Sequence, residues 1–153
     1  MIAGGCDKVN NTEVPKYPVR LQLKDYGLWS VYGVHGLGDW RLFVRSKGLP
    51  EGFPYNANTL TGYGGVLLMM GSQSYPVAYD ASCPVENQQS IIVEVASNLE
   101  AVCPKCGSRY NVFEYAGQAV SGIAATSKLG LRLITIRDYD QGNPTAGCNI
   151  YSY

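Results

Sequence analysis

The chain is poor in histidine: 153 residues contain one, His35. A single imidazole set among glycines, in Gly33-Val34-His35-Gly36, gives no credible Ser–His–Asp arrangement. It reads as structural or simply exposed, and as a remote choice of metal ligand. Charge is also scarce. Asp, Glu, Lys and Arg make up 16% of the chain, against about 25% in an average soluble domain. The 12 basic side chains balance 12 acidic ones, so no basic face is implied and nucleic acid is not an expected partner. No stretch approaches the roughly 18 apolar residues of a membrane-spanning helix. Tyr63-Gly64-Gly65-Val66 lacks the Gly-Lys-Ser/Thr ending of a phosphate loop. The carboxylates Asp80, Glu86, Glu94 and Glu100 are scattered, as solvated ones usually are. There is no long 3.6-residue period and no internal repeat.

What is abundant points to strands. Eighteen glycines, eight prolines and twelve tyrosines suit short strands and tight turns better than helices. Apolar residues reach 46%, enough for one core in one domain. Val19, Leu21 and Leu23 alternate with polar neighbours, as in a half-buried strand. Leu28 to Val34 and Trp40 to Val44 read as further strands, and residues 47–61 as a long loop. Val66 to Met70 is an unbroken apolar run, predicting a strand buried on both faces. Val77 to Asp80, Ile91 to Val95, Leu99 to Val102, a hairpin over residues 111–120 and a closing strand over 129–136 complete the set. The tyrosines are expected to fill sheet faces rather than line a site. The fold class is all-β. Residues 1–18 read as an N-terminal tether, 19–137 as the β domain and 138–153 as a loosely ordered polar tail.

The candidate chemistry lies in the cysteines. Cys83-Pro84-Val85-Glu86 and Cys103-Pro104-Lys105-Cys106-Gly107-Ser108 bracket a strand-like run. Two short cysteine loops on a β scaffold form a knuckle that grips a metal, or they place a disulfide. Cys6 and Cys148 bring the total to five. An odd number in an exported protein leaves one sulfur over, metal-bound or modified.

On these residues, Val77 to Ala124 resembles the cluster-binding region of Rieske iron–sulfur domains. In that family one loop carries Cys-x-His and the other Cys-x-x-His; two cysteines hold one iron and two histidines the other. Cys83 and Cys103 fall at the two cysteine positions. Pro84, Pro104, Gly107, Ser108 and Tyr110 also fall where the family places them, and Val120-Ser121-Gly122-Ile123-Ala124 is similar to the family's exit from the second loop. The resemblance implies a Rieske-like antiparallel β-sandwich with a small cluster-binding-type subdomain made of the two cysteine loops. It further implies that Ser108 and Tyr110 hydrogen-bond the site. The histidine positions hold Val85 and Cys106, so a two-histidine iron is not implied.

Three readings of the loops stay open. A structural site without any cofactor would be either a disulfide, Cys83–Cys103 or Cys103–Cys106, or a set of free thiols, and Lys105 would lower a neighbouring thiol's pKa. Zinc or a single iron would sit on Cys83, Cys103 and Cys106, with Glu86, Cys148 or His35 as fourth ligand. An altered [2Fe–2S] cluster is the third. The start, Met1-Ile2-Ala3-Gly4-Gly5-Cys6, resembles the end of a bacterial lipoprotein signal, which makes Cys6 the lipidation site and the following polar run a tether. The combined expectation is a non-catalytic, Rieske-fold lipoprotein domain of the bacterial cell envelope, held to a membrane through Cys6. It carries a degenerate cysteine site with no cofactor and binds an unknown protein partner. The alternative is a metal-binding or [2Fe–2S] electron-transfer protein.

Overall fold

The computed structural model describes residues 13–114 and 116–152. Cys6 therefore lies outside the described residues, and with it the expected lipidation site. The described elements run β1 (Val19–Gln22), α1 (Tyr26–Tyr32), β2 (Trp40–Phe43), β3 (Leu60–Thr61), β4 (Val66–Met70), β5 (Pro76–Asp80), β6 (Glu94–Val95), β7 (Glu100–Val102), β8 (Arg109–Asn111), β9 (Gln118–Ser121), α2 (Ile123–Ser127), β10 (Leu133–Arg137) and β11 (Asn149–Ser152). The all-β class expected from composition is present, organised as two sheets.

The larger sheet has seven strands in the order β2-β4-β5-β10-β11-β1-β3, and the smaller has four, β6-β7-β8-β9. All the recorded pairs are antiparallel. β10 forms the corner of the large sheet. Its Leu133 and Ile134 pair with β5, while Thr135 to Arg137 pair with β11.

β4 explains why the protein needs both sheets. All five of its residues are buried, as the unbroken apolar run predicts. Successive side chains point to opposite faces. Val66, Leu68 and Met70 therefore enter a core with Val19, Leu21, Trp29, Phe43 and Ile150. Leu67 and Met69 enter a second core with Tyr79, Cys83, Val93, Cys103, Tyr110 and Leu131. The second core joins the small sheet and both cysteine loops to the large sheet. Tyr79 crosses it, its hydroxyl donating to the carbonyl of Val112 over 2.8 Å.

Four expectations need correction. Leu28 to Val34 is not a strand, because α1 occupies most of it. Asp25 caps that helix, Oδ1 accepting from the Leu28 N–H at 2.9 Å, and satisfies a donor that a helix start otherwise leaves free. Only Trp29 needs burial there, so one face suffices. Within 91–95 only Glu94 and Val95 form a strand, with Ile92 in an isolated bridge to Ser82. The closing strand starts at Leu133 rather than 129. Beyond 138 the chain is not uniformly loose: β11 inserts between β1 and β10, with Ile150 opposite both Leu21 and Ile136. Ile150 is fully buried, and that burial holds the polar segment in place.

Candidate metal centre

The two cysteine loops have the same backbone. In each, a cysteine is followed by proline, and the N–H four residues on returns to the cysteine carbonyl. Asn87 does this to Cys83 at 2.7 Å and Gly107 to Cys103 at 3.0 Å. The closing residue is left-handed in both, with φ 50° at Asn87 and 77° at Gly107. Asparagine and glycine are the residues that adopt that conformation most readily. Cys-Pro-x-x-Asn and Cys-Pro-x-x-Gly are thus one turn written twice. Glu86 occupies in the first turn the place that Cys106 occupies in the second.

Different strands deliver the two turns. The first leaves β5 and is tied back by Cys83 N–H to the Ile91 carbonyl at 3.1 Å and by Val93 N–H to the Ala81 carbonyl at 2.8 Å. The second joins β7 to β8 and is closed by Cys103 N–H to the Ser108 carbonyl at 2.9 Å. Behind it Gly122 is required: at φ +85°, an added Cβ would sit 2.9 Å from both Cα and Oγ of Ser108.

The turns bring three sulfurs together. Those of Cys83, Cys103 and Cys106 lie within 4.8 Å of one another, with Cys83 and Cys106 separated by 3.7 Å. Cys83 and Cys103 are buried and Cys106 is half-buried. Two hydroxyls line the group. Tyr110 Oη is 3.3 Å from Cys83 Sγ. Ser108 Oγ accepts from the Cys106 Sγ–H at 3.3 Å and from the Ala124 N–H at 3.1 Å; its own proton is free to turn to the sulfur once Cys106 ionises. Burial pushes the Cys103 thiol up to about 12. It pushes Cys106 in the same direction, but hydrogen bonds from the Ser108 side chain and backbone and from the other two cysteines outweigh it. They hold Cys106 below the ordinary thiol range. The Lys105 side chain, expected to do this, is not the cause. Tyr110 is held far above its ordinary range by burial and then by its bond to Cys83.

Of the two cofactor-free forms expected, the bridges are not formed and the free thiols are present. Cys83, Cys103, Cys106 and Cys148 are free thiols. Nor does the structure gather the fourth-ligand candidates. Cys148 lies in the other core, where burial raises its thiol to about 12. His35 is beside α1, its Nε2 3.2 Å from the Ser30 carbonyl. The Glu86 carboxylate falls outside the 4.8 Å group.

Asp80 corrects a further expectation, since it is not a solvated carboxylate. It is fully buried, three residues before Cys83. It accepts from the N–H groups of Tyr63 at 2.7 Å, Gly64 at 2.9 Å and Ser82 at 3.0 Å. Arg132 lies 3.7 Å away and also donates to the Tyr17 carbonyl at 2.8 Å. Burial pushes the Asp80 carboxyl up, opposed by those three N–H groups and by Arg132. The side chain thus fixes the stem of the first cysteine turn. Composition hides such a residue, because its partner is distant in sequence. No family model, curated protein or solved structure matches this chain.

Proposed function

We propose that Cys83, Cys103 and Cys106 hold one soft divalent metal ion, zinc, which staples the two turns. The observation that carries this reading is the sulfur geometry. Tetrahedral zinc with Zn–S bonds of ~2.3 Å needs sulfurs about 3.8 Å apart. Cys83 and Cys106 are 3.7 Å apart, and all three sulfurs converge on one small volume. A binuclear cluster spreads its ligands over two irons, so the convergence favours a single ion. The repeated turn makes Glu86 this chain's own candidate for the fourth position. Ser108 and Tyr110 would orient and neutralise the thiolates from outside the ligand set.

In this reading the domain is a metal-stapled, Rieske-like β protein rather than an electron carrier, and it presents its cysteine turns to a protein partner. Its place in the bacterial envelope, on a lipid at Cys6, rests on the sequence of the first residues alone. Metal analysis of protein purified under reducing conditions without chelator tests the site. The expected result is one zinc per chain in the parent, lost in Cys83→Ser and weakened in Glu86→Gln. Zinc-free protein from zinc-replete cells, or protein containing two irons, refutes the proposal.

A further inference from the structure

The three sulfurs differ in access. Cys83 is 0% exposed and Cys103 1%, whereas Cys106 is half-buried and flanked by exposed Pro104, Lys105 and Gly107. A small oxidant arriving from solvent therefore meets Cys106 first. The sulfur placed to react next is that of Cys83, 3.7 Å away and 23 residues distant in sequence. Cys103 is less well placed. It shares a turn with Cys106, and its sulfur already accepts the Cys106 N–H at 3.5 Å. Linking these two would draw together the ends of a turn closed by its own backbone bond.

We infer that Cys106 is a modification site for hydroperoxides, with Cys83 as the resolving thiol, so that the metal staple is exchanged for a covalent one. The Cys106 thiolate attacks the terminal peroxide oxygen. The O–O bond breaks, hydroxide (alkoxide from an organic hydroperoxide) leaves and takes up a proton as water or alcohol, and Cys106 becomes a sulfenic acid. The Cys83 thiolate then attacks the Cys106 sulfur. The S–O bond breaks, a second hydroxide leaves as water, and the disulfide forms. One peroxide is reduced by two electrons and two thiolates are oxidised by two. Reaction requires the sulfurs to close from 3.7 Å to about 2.05 Å, a movement on the scale of a side-chain rotation. Metal release on oxidation rests on the zinc reading above; the bridge itself does not.

The test treats reduced full-length protein with a modest excess of hydrogen peroxide, alkylates the surviving thiols and maps peptides by mass. A chromophoric chelator follows zinc in parallel. The expected result is a loss of two thiols, one Cys83–Cys106 linkage, Cys103 and Cys148 still alkylatable, and full recovery with dithiothreitol. Cys83→Ser, checked for native circular dichroism, is expected to stop at a dimedone-trappable sulfenic acid on Cys106. Three results overturn the inference: a Cys103–Cys106 bridge, irreversible oxidation of Cys106 without a bridge in the parent, or no thiol loss. A protein that forms the bridge but never held zinc refutes the metal proposal and leaves this one standing. Zinc-loaded protein that forms no bridge does the reverse.

Discussion

Asp80→Asn is the substitution whose outcome follows most directly from the geometry. The two side chains have nearly the same shape, so the change acts on charge and hydrogen bonding alone. In the parent, Oδ1 accepts two N–H groups, Gly64 and Ser82, and Oδ2 accepts the Tyr63 N–H with Arg132 at 3.7 Å. An asparagine oriented to keep the first two bonds turns its NH2 toward the Tyr63 N–H and the guanidinium, donor against donor. One buried N–H is orphaned, costing about 1–3 kcal/mol. Arg132 remains buried without its counter-charge, and breaking such a pair costs about 3–5 kcal/mol. The two terms share one cause and do not add, so a loss of about 4 kcal/mol is expected. For a domain of this size, that lowers the melting temperature by about 12 °C. Urea denaturation monitored by tryptophan fluorescence reads it, Trp29 being in the core. The pair Asp80→Asn with Arg132→Met is expected to recover about half the loss, because it removes the stranded charge. A single-variant loss below about 1 kcal/mol, or a double variant worse than the sum of the singles, refutes the assignment of Asp80 as the charged clamp of the first cysteine turn.

Two further outcomes are expected. Tyr110→Phe deletes the hydroxyl 3.3 Å from Cys83. It should cost about 1 kcal/mol of stability and lower zinc affinity by roughly tenfold or more in chelator competition; unchanged affinity would place the hydroxyl outside the site's chemistry. In metal-free protein, iodoacetamide should modify Cys106 first among the described cysteines. Only thiolate reacts, Cys106 is held below the ordinary thiol range, and Cys103 is pushed up to about 12. The rate should rise with pH and level off at a lower pH than it does for the same residue in the urea-unfolded chain. First labelling at Cys103, or a rate that levels off no earlier than in the unfolded chain, contradicts the assignment.

The parts of this protein that could be read in its sequence are those with local causes. The run Val66 to Met70 declares a strand buried on both sides, since no polar residue interrupts it. The two cysteine loops could be paired because each opens with Cys-Pro, whereas the left-handed Asn87 and Gly107 that close them alike are seen only in the fold. Residues 26–32 differ from the strand expected there for a local reason too: Leu28, Trp29 and Val31 resemble a short strand, and the informative residue is Asp25, which lies outside the apolar stretch. Asp80 and β11 were hidden for a different reason. Asp80 is explained by Arg132 and Ile150 by Leu21. Each is an ordinary strand-end or tail residue until a distant partner arrives. Glu86 sits between these cases: its turn can be read, but its carboxylate's destination depends on what the three sulfurs hold.

The position of β11 has a consequence for how the molecule is made. β1 leaves the ribosome before every other described strand, yet its neighbour on one side is β11, which emerges after all of them. Until then the sheet has a gap at its middle, with β1 on one bank and β10 on the other. Translation that halts before Asn149 yields two open edges rather than a slightly shortened domain, and such edges attract other chains. The sheet therefore closes only when β11 arrives, and this short strand acts as its keystone.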